Sequence, residues 1–105
     1  MSLLRELSER VALQTLETVD DNSGGRSATW VAMANVWAEV RPASATNGTR
    51  IGGTTTRRFV KIFIRERSDI ALPLQVIWGG STLRVLAFRD APNSRIELEC
   101  EEVLQ

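Results

Sequence analysis

Alternation of apolar and polar side chains is clearest in two stretches of the chain. In Phe59-Val-Lys-Ile-Phe-Ile-Arg65, Val60, Ile62 and Ile64 alternate against Lys61 and Arg65, the period of a strand with one face buried. In Ile96-Glu-Leu-Glu-Cys-Glu101 the same period turns Ile96, Leu98 and Cys100 inward and Glu97, Glu99 and Glu101 outward, which makes Cys100 a small core hydrophobe rather than a reactive thiol. Phe59 and Phe63 fall on the polar side of the first strand, so that side is expected to meet another element or another subunit.

The remaining chain reads as further strands and turns. Leu74 to Trp78 and Thr82 to Phe88 are two β-rich runs joined at Gly79-Gly80, the signal of a tight hairpin. From Arg10 to Thr18, Val11 and Leu13 share one parity and Leu16 takes the other, which predicts a strand carrying a bulge. Asp20 to Gly25 is a run of turn-formers, read as a hairpin connection. Trp30 to Val40 is rich in helix-favouring alanine, yet Trp30, Ala32, Ala34, Val36, Ala38 and Val40 share one strand face, so we read a long strand that Pro42 ends. At least one of Trp30 and Trp37 is expected in the core, and Trp37 is the one expected there, although Glu39 shares its parity. Leu3, Leu4 and Leu7 behind Ser2 predict a short helix or a frayed arm. Between Ala43 and Thr56 stand three glycines and a single large apolar residue, Ile51. That predicts a long loop over 43–58, a feature compact domains carry chiefly for function or leave disordered when free.

Several strands at short spacing, separated by turn signals, make the chain mainly β. We expect a small antiparallel β-barrel or sandwich with a long inserted loop and at most short helices, as one domain over 1–105.

Composition narrows the chemistry. At 105 residues with 43% hydrophobic and 25% charged residues, the chain has room and material for one packed core, and disordered or low-complexity readings fail. Its apolar runs are a handful of residues, far from the roughly 20 of a membrane-spanning helix. Glu6 and Glu9 interrupt the start, unlike a secretory signal, so a chain that begins in the cytosol and meets no membrane is expected. There is no histidine and only one cysteine. That removes zinc and iron centres of the His/Cys type, disulfides within the chain, and Ser-His-Asp or Cys-His nucleophilic machinery. No enzyme, no metal and no cofactor are expected.

The formal net charge of zero is unevenly laid out. Arg41 to Arg67 holds seven basic residues against Glu66 alone, and Asp90 to Gln105 holds five acids against Arg95 alone. Two accounts stand open. Opposite charges meet across neighbouring strands as solvated faces, or a basic, Gly/Thr-rich loop faces a polyanion while an acidic flank faces a basic neighbour. Since the loop holds no aromatic residue for base stacking, any contact with DNA there is to phosphate, without sequence preference.

The order of these features resembles the phage head-tail joining proteins, also called head-closure or stopper proteins, of siphophage-like particles including gene transfer agents. The residues that carry it run over roughly positions 8 to 104. They are Arg10-Val-Ala-Leu-Gln14, Thr29-Trp30, Val36-Trp-Ala-Glu-Val-Arg-Pro42, the long loop, the strand ending at Arg65, Val76-Ile-Trp-Gly-Gly80, Asp90-Ala-Pro-Asn93 and Leu98-Glu-Cys-Glu-Glu-Val103. The most specific piece is Trp30 with Val36-Trp37-Ala38 leading into Pro42. A departure is the Gly/Thr-rich stretch Ser44 to Thr56, where the family carries more helix-forming residues.

What the resemblance implies is a structural neck protein of a phage-like particle, free in the host cytoplasm before assembly. It would form a homo-oligomeric ring between the portal and adaptor proteins and the tail terminator proteins, and help retain packaged DNA. The long loop would face the channel with Arg50, Arg57, Arg58 and Lys61 near non-specifically held DNA. Phe59, Phe63, Glu97, Glu99 and Glu101 would serve docking to subunits or neighbours. The competing reading is an OB-like β-barrel that binds nucleic acid by itself, with the same basic residues as its phosphate groove.

Overall fold

The computed structural model describes residues 7–20, 22, 24–50 and 53–103, of which 43–50 and 53–57 are described in backbone only. The expected N-terminal helix or arm over Leu3 and Leu4 lies outside the described residues. Six strands are present: β1 (Glu9–Asp20), β2 (Arg26–Arg50), β3 (Gly53–Arg65), β4 (Leu74–Trp78), β5 (Ser81–Ala91) and β6 (Arg95–Glu102). They close into an antiparallel barrel in the order β1-β2-β3-β6-β5-β4, and no helix occurs among the described residues. The mainly β barrel expected from the patterning is the fold observed.

Burial follows the period-2 reading. Ile62, Ile64, Leu98 and Cys100 are completely buried, and Val11, Leu13, Leu74, Val76 and Leu83 join them to fill the barrel. Most face an apolar residue across the ladder, as in Ile62 opposite Leu98 and Leu13 opposite Val76, whereas Leu74 faces Thr15 and Leu83 lies between Val76 and Glu102. Gly79-Gly80 joins β4 to β5 directly after the pair Trp78 and Ser81, and Gly79 takes φ 59°, the left-handed value a two-residue hairpin turn requires.

Three expectations change in the structure. The register shift of the β1–β2 ladder lies between Leu13 and Gln14, yet it is β2 that carries the additional residue: Leu13 faces Ala34, Gln14 faces Ala32, and Met33 lies between. β1 itself keeps an unbroken register against β4 from Ala12 to Thr15, so Leu16 belongs to the outer face. The same shift moves Trp30 and Ala32 off the inward side held by Ala34, Val36 and Ala38. Second, Trp37 is outside the core with 53% of its surface exposed. Val36 and Ala38 take the inward positions, and Trp37 pairs with exposed Arg10, whose guanidinium lies 5.1 Å from the ring centre.

Third, Pro42 does not end β2, and 43–58 is not a structureless loop. The ladder with β3 absorbs the proline at a register shift between Pro42 and Ala45, then runs on from Ala45 opposite Arg58 to Arg50 opposite Gly53. A proline costs one ladder hydrogen bond and is tolerated at a bulge. The threonines at 54, 55 and 56 are β-branched and favour the strand that follows.

Because neighbouring strands are antiparallel, the barrel has two distinct ends. One gathers the start of β1, the Gly79-Gly80 turn, the end of β6 and the long β2–β3 extension. The other gathers the β1–β2 turn, the segment 66–73 and the β5–β6 turn, where Asn93 and Ser94 adopt positive φ.

Candidate functional site

The β2–β3 extension is the largest departure from a plain barrel. Pairing with β1 stops at Ala38 opposite Glu9, and pairing with β6 stops at Phe59 opposite Glu101. Beyond those rungs the two strands have only each other, over about 8 residues of β2 or roughly 25 Å at strand rise. Arg50 and Arg57 lie on this ribbon, opposite Gly53 and Thr46 in register. Arg58 stands exposed at its root, with Glu102 of β6 at 3.8 Å. Lys61 lies in the barrel wall, half-buried opposite Glu99. Of the four predicted basic residues, the structure thus sets two on the ribbon, one at its base and one away from it.

A cavity of about 310 Å³ opens at the root, lined by Val40, Pro42, Phe59, Val60 and Trp78 with the Arg58 and Glu102 pair at its edge. Phe59 therefore packs at the foot of the ribbon. Phe63, further along the same outer face, carries the Arg41 guanidinium 4.8 Å above its ring.

The predicted acidic stripe is present in position, since Glu97, Glu99 and Glu101 do point away from the core, but all three are half-buried. Arg89 of β5 spans two of them, 3.5 Å from Glu97 Oε2 and 2.8 Å from Glu99 Oε2. On the other flank β3 lies against β6 with Phe59, Lys61 and Phe63 opposite Glu101, Glu99 and Glu97. The basic and acidic runs of the sequence are therefore adjacent strands, and much of their charge is matched within the sheet.

The residue that sequence reasoning missed is Glu39. It lies on the outer parity between Trp37 and Arg41, yet only 4% of it is exposed. Arg41 donates to Oε2, and Arg95 reaches over β3 from β6 to donate to Oε1 at 3.0 Å. Two cations on one carboxylate satisfy the hydrogen bonding that burial of a charge demands, and they tie β2 to β6 beside the β5–β6 turn. The signal in the sequence was a glutamate within an apolar strand two residues before Arg41, but its second partner, Arg95, stands 56 residues away. At the same end Arg67 donates two hydrogen bonds to Asp69, at 2.9 and 2.8 Å, and holds its carboxyl below the usual range. In the core, burial pushes the Cys100 thiol up to about 12, with the Glu99 carboxylate adding to the effect. The thiol stays protonated at neutral pH.

The outer surface thus carries a two-stranded ribbon with Arg50 and Arg57, a charged face braced by ion pairs, and exposed Trp37 and Phe88. A search of curated proteins finds no match. Among solved structures, one chain of the virion of a native gene transfer agent particle superposes with a TM-score of 0.71 at 24% identity. The match covers 93% of this chain and 96% of that one, and it shows the shared fold. Protein SF1141 from Shigella flexneri 2a, known from a solution structure, matches with a TM-score of 0.71 at 25% identity over 92% of this chain and 93% of that one. The family model for phage head completion proteins matches residues 4–103, so the chain belongs to the phage head completion protein family.

Proposed function

We propose that this protein is a ring-forming neck component that joins the DNA-filled head to the tail and helps keep packaged DNA in place. The observation that carries the reading is the β2–β3 ribbon, which leaves the barrel as two strands paired only to each other and bears Arg50 and Arg57, with Arg58 at its base. A two-stranded ribbon is marginal in water by itself, so its length is useful where other copies or a ligand surround it. In a ring, each copy brings the same guanidinium groups towards the channel. One DNA end then meets many cations together, a hold that no single copy provides. The barrel, braced by Glu39 with Arg41 and Arg95, is the rigid body from which the ribbon is aimed. Portal-side adaptor and tail terminator proteins are the neighbours at its two ends.

Replacing Ala45 to Thr55 with a short Gly-Ser linker tests this directly, because it removes none of the buried core. The expected particles package DNA and then lose it, or fail to accept tails, while the isolated protein keeps its unfolding midpoint. Particles that hold DNA and attach tails like the parent would sink the reading.

A further inference from the structure

Most arginines of the barrel find their counter-charge within the molecule. Arg26, Arg41, Arg58, Arg67, Arg89 and Arg95 each pair with a carboxylate, and Arg84 faces Glu101 across the ladder. Among the arginines whose side chains are described, Arg10 and Arg65 have neither an ion pair nor an acid opposite in register. They stand on either side of Trp37 in one row of outward positions that crosses four strands. Arg10 faces Trp37, Trp37 lies one step beyond the Ala38 and Ile64 rung and so beside Arg65, and Arg65 faces Arg95. Arg10, Trp37 and Arg65 are exposed and Arg95 is half-buried. Like charges directly opposite, as in Arg65 and Arg95, are unfavourable in a sheet by itself, and the carboxylate beside them, Glu39, is shared with Arg41. The row is a strip of net positive charge with an exposed indole in it. Next to Arg95 opens a recess of about 250 Å³, lined by Arg41, Phe63, Ala91 and Pro92 among others.

We propose that this row docks an acidic segment of a different protein of the particle, an extended stretch with carboxylates two or three residues apart and an apolar side chain beside them. The inference rests on the neck reading for the partner's place in the particle and is independent of where the ribbon points. Strands lie about 4.8 Å apart, which sets the Arg10 and Arg65 backbones about 10 Å from each other, with Arg95 about 5 Å further on. An extended chain rises about 3.3 Å per residue, so carboxylates two or three positions apart are separated by about 7 or 10 Å and each meets a guanidinium of the row. Guanidinium groups hold carboxylates by paired hydrogen bonds, and the indole covers apolar parts of the same segment. The wall of the closed barrel has no strand edge to extend, so side chains carry the recognition. The recess beside Arg95 takes the apolar neighbour of the carboxylates. DNA fits the row less well. Between it and the basic ribbon lie Glu39, Glu97 and Glu99, so a duplex held by the ribbon would cross acids to reach Trp37. A second copy fits less well too. Wherever two described acids of this chain stand two or three residues apart, at least one is engaged within its own molecule, as Asp20 is by Arg26, Asp69 by Arg67 and Glu99 by Arg89.

The test places a photoreactive amino acid at exposed Asn35, two residues before Trp37 on the same outer side, in the full-length chain within assembled particles. Irradiation should link this chain to a different particle protein, through a segment whose acids stand two or three residues apart. A link to a second copy, to DNA or to a segment without acids would overturn the proposal. So would the lack of any link in particles whose neck contains this chain, and that result leaves the neck reading standing. Absence of the chain from the neck would remove both. As a second measure, the isolated chain is titrated with a short peptide of alternating glutamate and alanine bearing one leucine, with its lysine counterpart and with short duplex DNA, while NMR follows the Trp37 indole N–H. The glutamate peptide should move that signal, less so as salt rises, and the lysine peptide should not. Arg65→Glu should weaken the glutamate peptide's binding more than about tenfold, since a reversed charge repels where its parent attracts, and Arg65→Lys should weaken it less; both should keep the unfolding midpoint of the parent, as exposed substitutions do. Equal binding by parent and Arg65→Glu, or a Trp37 signal that duplex DNA moves at lower concentration than the peptide does, would contradict the assignment.

Discussion

The outer faces on the two sides of the barrel are held in different ways. Across β5, β6, β3 and the adjoining part of β2 the surface is charged and internally matched, with Arg89 on Glu97 and Glu99, Arg58 near Glu102, and Arg41 and Arg95 on buried Glu39. Across β1 and the first half of β2 the outer positions are mostly small or apolar, Ala12, Leu16, Ala32 and Trp30 with the uncharged Gln14 and Asn35 among them, and Trp37 stands out beneath Arg10. The first face stabilises the monomer, and its charge is largely committed before any partner arrives. The second contributes little to the monomer and leaves apolar area in water. A high density of charge in a sequence therefore does not by itself mark the surface that binds a neighbour; what matters is whether the register supplies the counter-charge from within.

Substitutions ranked by their expected effect on the monomer test that difference. Glu39→Ala strips two guanidinium groups of their common acceptor in a nearly closed position, and it should cost about 1.5–3 kcal/mol in chemical denaturation. A loss under half a kcal/mol would mean that the brace is ornamental. Reversal of Glu97, Glu99 and Glu101 to Lys places like charges opposite Lys61 and beside Arg89 and Arg84. We expect roughly 1–2 kcal/mol of destabilisation, since cross-strand pairs contribute a few tenths to one each, and the loss should shrink in high salt. A fully stable triple variant would show the acids to be a free docking stripe. Trp37→Ala should change stability least, within about 0.5 kcal/mol, as expected for a surface position. A loss of several kcal/mol would return Trp37 to the core and erase the contrast between the faces.

Much of the fold was legible because parity survives in short strands. Val60, Ile62 and Ile64, and again Ile96, Leu98 and Cys100, declared their buried faces, and Gly79-Gly80 declared a turn. Trp37 was misjudged because size argues for burial, while the face of a strand is fixed by its register with neighbours, here by Ala38 against Ile64. The ribbon was hidden because Pro42 and three glycines are local breakers, whereas its pairing is a relation between 45–50 and 53–58. The outward parity of Glu97, Glu99 and Glu101 was legible, but their half-burial and their partners on β5 and β3 depend on a barrel order that no local pattern states. Glu39 was overlooked for the same reason: Arg41 stands beside it on β2, but the second cation of its brace, Arg95, comes from a strand that is not adjacent.

The salt dependence of DNA binding by the isolated protein separates the competing uses of the basic segment. A self-sufficient nucleic-acid module binds short DNA at micromolar levels in moderate salt, with a steep decline as salt rises. This chain should bind barely, because Lys61 is half-buried opposite Glu99 and Arg58 has Glu102 nearby, which leaves few cations for phosphate on a single copy.

The central claim concerns where the ribbon points, and a reconstruction of the assembled particle's neck by electron microscopy tests it most directly. The account predicts a closed ring of these barrels between head and tail, with every β2–β3 ribbon converging on the channel and Arg50 and Arg57 nearest the DNA. Ribbons directed outward, away from the channel, or a neck built without this chain, would contradict it.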